Sequence, residues 1–267
     1  MKAPSSIRKF SLGSAIALAS VVSSSAAVIA WWPLDTDAMD ASGNGHNGAV
    51  VGGAVNFGQA GANANTGSSA SFPDNGHIDV PYAAALNPGT QAPNGSGSFT
   101  IALWANSSNN AGFNSPFTAR EDNGVNVNGP ILYNNNTGNW SYWAGNNGPS
   151  GAWNVLNSDP VPLDTWQHIA ITYDSGTQTR KMFLDGGEVL SANLGVSPNA
   201  LRDIHIGSGQ DDGNNFFWNG NIDDVIIFDE ALTAAQINDV RTNSVPEPSA
   251  FGLLGIAGLG LLLRRRR

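Results

Sequence analysis

The chain has 267 residues, 41% of them hydrophobic, a formal net charge of −9 and no cysteine. Disulfides, metal–thiolate centres and cysteine nucleophiles are therefore excluded, and an acidic chain without a basic stripe is poorly suited to nucleic acid. Seven of the 12 basic residues lie at the two ends (Lys2, Arg8, Lys9, Arg264, Arg265, Arg266, Arg267), and of the 21 acids only Glu247 does, so the middle of the chain carries about −15. That charge also disfavours acidic polysaccharides unless cations mediate, and leaves neutral glycans, cations and cell-surface solutes open.

The N-terminus has a basic start at Lys2, Arg8 and Lys9, an apolar run over residues 12–22, and small residues after it. This order describes a secretory signal peptide. Ser25 and Ala27 permit cleavage after Ala27, and Val28 and Ala30 permit it after Ala30. Ala27 is preferred, because residues 28–34 (VIAWWPL) read as the first strand. The expected division is residues 1–27 signal peptide, 28–243 one large domain, and 244–267 a terminal sorting segment.

Within the domain, strand follows strand with Gly/Asn/Asp/Ser turns between them. Residues 99–104 alternate, residues 166–173 form the strongest strand, and residues 180–184 return to it. Asp185-Gly186 then marks a two-residue hairpin whose central residues need positive φ. Residues 188–190, 204–207 and 222–228 are further strands. One helix is convincing, because Thr233 and Gln236 form a capping box and Leu232, Ile237 and Val240 can then face the sheets. Strands at this spacing with one short helix predict an all-β, two-sheet antiparallel sandwich.

The end of the chain runs Val245, Pro246, Glu247, Pro248, then an uncharged apolar stretch over residues 249–263, then Arg264, Arg265, Arg266 and Arg267. The stretch is about 22 Å long as a helix, short of the roughly 20 residues a stable span wants. Snorkelling arginines can still lodge such a helix, and they stay cytoplasmic by the positive-inside rule. The segment resembles the PEP-CTERM sorting signal of Gram-negative bacteria. That resemblance implies export, a transient anchor in the inner membrane, cleavage near Pro-Glu-Pro by an exosortase-type enzyme, and delivery to the cell surface or extracellular matrix. The plain alternative is a simple C-terminal anchor helix.

An ordered set of motifs carries a second resemblance. Trp32-x-Leu34-Asp35 leads into Asp40-x-Ser42-Gly43-Asn44-Gly45. Phe99-Thr100-Ile101-x-x-Trp104 follows, then Trp166-x-His168-Ile169-Ala170-x-Thr172-Tyr173-Asp174 with Phe183-Leu184-Asp185-Gly186. The set closes with Gly220-x-Ile222-Asp223-Asp224-Val225-x-Ile227-Phe228 and Ala231-Leu232-Thr233. Together they resemble the laminin-G-like, concanavalin A-like jelly roll. Trp104 and Trp166 are expected in the inter-sheet core, and His168 as a structural histidine.

The loop over residues 35–46 supplies carboxylates, an Asn amide and Gly-rich carbonyls, the oxygen donors that Ca²⁺ takes. The resemblance implies a structural Ca²⁺ at about this place. The expected ligands are Asp40, Asn44 and His46, with Asp223 and Asp224 approaching from the last strand. The alternative is that the loop only makes a tight Asx turn. Strict alternation puts Asp224 on the face of Ile222, Ile226 and Phe228. The acidic loop over residues 210–215 is read as solvated. For sugar stacking the expected residues are Trp140, Tyr142, Trp143 and Trp153, with core packing as the alternative for the same rings. Sandwich glycosidases need two carboxylates about 5–5.5 Å apart, and Glu121, Glu188 and Glu230 are not spaced to provide them. The sequence therefore points to an exported, non-catalytic protein that binds extracellular polysaccharide or another envelope ligand. A purely structural, Ca²⁺-stabilised matrix protein, or a polysaccharide-active enzyme, is the alternative.

Overall fold

The computed structural model describes residues 26–87, 97–209 and 215–243. The expected signal peptide up to residue 25, residues 210–214 of the acidic loop and the segment from 244 lie outside the described residues. Among the described residues, no helix is long and apolar enough to cross a membrane.

The first strands are β1 (Val28–Trp32), β2 (Ala49–Gly52), β3 (Asn56–Ala60), β4 (Ser68–Ser71), β5 (Gly76–Val80) and β6 (Phe99–Ser107). The middle of the chain adds β7 (Asn114–Thr118), β8 (Glu121–Asp122), β9 (Asn126–Asn128), β10 (Pro130–Asn134), β11 (Asn139–Ala144) and β12 (Gly148–Pro149). The last are β13 (Asn154–Pro160), β14 (Trp166–Asp174), β15 (Thr179–Leu184), β16 (Gly187–Asn193), β17 (Ile204–Ile206) and β18 (Gly220–Phe228), followed by helix α1 (Ala234–Asn243).

Two antiparallel sheets face each other. The first runs β16-β15-β14-β6-β18-β4-β3, with β1 also paired to β18; the second runs β13-β11-β10-β7-β17-β5-β2. A small sheet, β12-β9-β8, stands beside them. Because side chains alternate along a strand, each large sheet gives one face to the core. From β6 the core takes Phe99, Ile101, Leu103 and Ala105; from β14 it takes Ile169, Ile171 and Tyr173. The second sheet answers with Ile78, Val80, Phe117, Leu132, Trp140, Tyr142, Ile204 and Ile206. Trp140 and Trp218 stack inside, with ring centres 6.0 Å apart.

The other face of the first sheet is closed by α1. Leu232, Ile237 and Val240 cover Ala102, Ala170, Phe183, Ile226 and Phe228. The capping box forms as expected: the Thr233 N–H donates to Gln236 Oε1 at 2.9 Å, and the Gln236 N–H donates to Thr233 Oγ1 at 3.4 Å. The Asp185-Gly186 hairpin also forms, with φ of 49° and 84°. β1 begins at Val28, so cleavage after Ala30 would remove three of its five residues, whereas cleavage after Ala27 leaves it whole.

Two expectations fail. Trp104 and Trp166 are not in the inter-sheet core, because the odd-numbered positions of β6 and β14 already fill it. Trp104 lies on the other face of the first sheet, edge-on to His168 with ring centres 5.2 Å apart. Strict alternation also fails on β18, where the register slips between Asp223 and Ile226. The extra residue is a β-bulge, with Asp224 in the left-handed region at φ 47°. Ile222, Val225 and Ile227 consequently face the inter-sheet core, while Ile226 and Phe228 face α1. Asp224 does not share one face with Ile222, Ile226 and Phe228.

Candidate functional site: an aromatic cleft on the open sheet

β10 and β11 pair as neighbours in the second sheet, Ile131 opposite Trp143 and Tyr133 opposite Ser141. Trp140, Tyr142 and Ala144 point into the core, so Trp143, between the last two, points out. Trp140 is 1% exposed and Tyr142 is fully buried, which removes both from any sugar-stacking role. Their work is packing: the Trp140 indole N–H donates to Gln167 Oε1 at 2.6 Å, and the Arg180 guanidinium sits 5.2 Å over the Tyr142 ring.

Trp143 belongs to an aromatic cluster on the outer face. It meets Phe113 edge-to-face at 5.6 Å and Tyr133 at 5.5 Å. Phe216, arriving on the segment before β18, packs on Phe113 at 5.4 Å and on Tyr133 at 5.7 Å. Trp153 stands at the same site with the Arg120 guanidinium 5.2 Å over its ring. Arg120 is held by Asp122 at 3.3 Å, and Asp122 accepts the Ser150 hydroxyl at 2.9 Å. Burial pushes the Asp122 carboxyl up, but the bonds from Ser150, Gly124 and Arg120 outweigh it and hold the acid below its ordinary value.

These side chains line a cleft of about 410 Å³. Flat aromatic rings, an oriented Arg–Asp fork and a serine hydroxyl suit a ligand that is apolar on one side and rich in hydroxyls on the other, as a sugar ring is. Of the predicted stacking residues, the structure brings Trp143 and Trp153 to the cleft and leaves Trp140 and Tyr142 out. Phe113, Tyr133, Phe216 and Arg120 were missed, because they converge from separate segments with no shared motif. A second recess, beside Leu86, Phe99 and Ile227, holds only about 20 Å³, room for about one water.

The five predicted calcium ligands are not gathered at one point. Asp40 Oδ1 accepts the N–H of Trp31 at 3.0 Å and of Ser42 at 2.9 Å, while Oδ2 accepts that of His46 at 2.9 Å. Asn44 turns its amide nitrogen to the carbonyls of Val28 and Ile29, at 3.0 and 2.9 Å. His46 offers its own carbonyl to the Trp32 indole at 2.8 Å. The loop is an Asx turn stapling β1, and its bonded oxygens do not fit a calcium shell. No three of Asp40, His46, Asp223 and Asp224 bring ligand atoms within 4.8 Å among the described residues.

Asp223 differs from the other four. It is fully buried, its Oδ2 accepts the Ala62 N–H at 2.8 Å, and its Oδ1 has no hydrogen-bond partner among the described residues. Burial raises its pKa to about 7, helped by the charges of Asp224 and Asp35 and opposed by bonds from Ala62 and Thr66. Asp35, which accepts the Ser68 N–H, is a neighbour that the predicted ligand set lacked.

The glutamates weighed for a sandwich glycosidase lie on separate elements, with Glu230 just after β18. Glu121, on β8 of the small sheet, accepts the Ala200 N–H at 2.6 Å, and Glu188, on β16 of the first sheet, pairs with Lys181 at 2.8 Å. His168 is 1% exposed, and burial first, then the Arg241 charge, lowers its pKa to about 3. It is neutral and structural.

Fold and cleft together define a lectin-like jelly-roll sandwich with one sheet face covered and the other open. The chain belongs to the family described as the Concanavalin A-like lectin/glucanases superfamily, a laminin-G-type model that matches residues 74–238. Residues 244–267 match the PEP-CTERM protein-sorting motif. This supports an exported protein with cell-surface or extracellular placement and processing by an exosortase. No curated protein matches the chain. Among solved structures, domain 4 of AbnA, a GH43 extracellular arabinanase from Geobacillus stearothermophilus, solved in complex with arabinotriose, superposes with a TM-score of 0.60 at 21% identity. That match covers 80% of this chain and 98% of the other. The binding domain of botulinum neurotoxin DC, in complex with rat synaptotagmin II, gives 0.53 at 16% identity, covering 80% of this chain and 51% of the other. The binding domain of Paraclostridial Mosquitocidal Protein 1 gives 0.54 at 15%, with 80% and 51% covered. The chain thus spans about half the length of the two toxin domains. At these identities the likeness concerns the fold.

Proposed function

We propose that this is an exported, non-catalytic glycan-binding protein of the cell surface or extracellular matrix, with its ligand in the cleft of Trp143, Trp153, Tyr133 and Arg120. The observation that carries this is the asymmetry of the sandwich. α1 closes one outer face, while the other displays a cleft of about 410 Å³ lined by five aromatic side chains and an Arg–Asp pair. The acidic chain favours a neutral oligosaccharide, and the arabinotriose bound to the arabinanase domain is a ligand of that kind on the same fold. Passage through the inner membrane of a Gram-negative cell before exosortase cleavage belongs to the same proposal. Oligosaccharide binding by the intact chain, compared with Trp153→Ala, tests it; equal binding by both removes the cleft from the account.

A purely structural role is the second reading, favoured by the buried, unpartnered Oδ1 of Asp223 beside Asp35. In that reading Asp223 and Asp35, rather than Asp40, Asn44 and His46, would hold a structural Ca²⁺. The ion would supply charge compensation between the loop after β1 and the bulge of β18.

A further inference from the structure

On the same outer face as the cleft, three side chains outside it converge. Ile78 and Val80 of β5 are core residues, so His77 and Asp79 point outward. Ile204 and Ile206 of β17 are also core residues, so His205 points outward. β17 pairs with β5 in the register that sets His205 opposite Asp79. As a result, Nε2 of His77 lies 3.2 Å and Nε2 of His205 lies 3.1 Å from one atom, Asp79 Oδ1. The two imidazoles are 5.1 Å apart, and Phe217 packs on His77 at 5.6 Å.

These approaches are short, yet neither is aligned as a hydrogen bond. Asp79 Oδ1 is buried without a hydrogen-bond partner among the described residues. A buried carboxylate oxygen in that condition needs a reason. The three donor atoms lie within 4.8 Å of one another, and no other three His, Asp or Glu side chains do so among the described residues. Ligands about 2.0–2.2 Å from a tetrahedral ion are roughly 3.3–3.5 Å apart, close to the two separations seen here. The donor set also selects the metal. Two imidazole nitrogens and one carboxylate oxygen suit zinc and its transition-metal neighbours, whereas calcium takes oxygen alone.

We propose that His77, Asp79 and His205 form a divalent transition-metal site that takes Zn²⁺. The Asp79 side chain is 28% exposed, so the position left over in a tetrahedral shell opens to solvent. The ion clips β5 to β17, two strands far apart in the chain. A row of facing residues, Asp79, His205, Thr118, Ile131 and Trp143, runs from it to the cleft wall. Two strand spacings, about 10 Å, separate His205 from Ile131. The metal site and the glycan cleft rest on different residues, and each can fail alone.

The test uses the intact chain without a polyhistidine tag, stripped with a chelator and titrated with Zn²⁺ by calorimetry and with Co²⁺ by visible spectroscopy. One saturable equivalent of Zn²⁺ and Co²⁺ ligand-field bands are expected. Loss of a residue that only hydrogen-bonds a metal ligand costs about 10–100-fold in metal affinity, so losing a ligand itself in His205→Ala or Asp79→Asn should weaken binding by about 100-fold or more. His46→Ala, at a surface histidine outside the cluster, should bind as the parent does. If His205→Ala does not fold, His77→Gln and His205→Gln keep volume and polarity, and circular dichroism verifies their fold while the same titration is read. Absence of saturable Zn²⁺ binding, unchanged affinity in the ligand variants, or loss on His46→Ala overturns the site.

Discussion

The indole N–H of Trp31 donates to the carboxylate of Asp224 at 2.7 Å, joining residues 193 positions apart. The first and last strands of the domain are thereby fastened by one charge-assisted bond, with β1 and β18 paired alongside it. The bulge of β18 exists at this spot, and it aims Asp224 away from the core toward Trp31. Replacing Trp31 by Phe keeps a ring but removes the donor to a buried carboxylate. The expected cost is about 1–3 kcal/mol, read as a lower urea midpoint with unchanged slope.

Asp223 sets a pH dependence of known sign. Its carboxyl titrates near 7 in the folded chain, against about 3.9 when unfolded. Between those values the folded state holds a proton that the unfolded state has lost, so this group's stabilisation is full below about pH 4 and falls as pH rises toward 7. Asp40 and Asp174 have lowered pKa values, and their stabilisation is instead lost as pH falls through the acid range. His168, held near 3 by burial, contributes the opposite trend, so the Asp223 part is read as a difference: in metal-free protein the midpoint of Asp223→Asn should rise relative to the parent's from pH 4 to 7. Calcium at pH 8 should raise the midpoint of the parent and leave Asp223→Asn unmoved. An equal shift in both removes the ion from Asp223.

Helix α1 is a cover whose attachment can be weakened in steps. Thr233→Ala removes the cap and should cost about 1 kcal/mol. Ile237→Ala empties a buried position under the helix and should cost about 2–5 kcal/mol. Thermal unfolding of the two variants orders them; a smaller loss for Ile237→Ala would mean the helix does not pack as described.

Legibility in the sequence followed period and locality. The signals that read correctly, the capping box at Thr233 and the Asp185-Gly186 hairpin, are each spelled out within four residues. Alternation separated Trp143 from Trp140 and Tyr142, but it does not say which face is core; that depended on what the opposite sheet presents. Alternation failed at Asp223-Asp224 because a bulge inserts one residue, and nothing local announces it. Asp40 drew a metal reading because an Asx turn and a calcium loop use the same residues; only the three backbone N–H groups on its carboxylate tell them apart. The cleft and the His77–Asp79–His205 cluster were out of reach, since both depend on which distant strands become neighbours.

The two aromatic classes should separate cleanly under mutation. Trp140→Ala hollows the core and should cost about 3–5 kcal/mol. Trp153→Ala touches only the cleft rim and should stay within about 0.5 kcal/mol. Urea unfolding of both distinguishes packing from surface display before any ligand is added.

The most direct measurement is calorimetric titration of the intact chain and its Trp153→Ala and Trp143→Ala variants with neutral oligosaccharides, arabinotriose among them. Saturable binding by the parent is expected, with its loss, by tenfold or more, in both variants, whose unfolding midpoints stay near the parent's; tenfold corresponds to about 1.4 kcal/mol. Binding that survives both substitutions, or a parent that binds no glycan across neutral and acidic sets, contradicts glycan binding in the cleft.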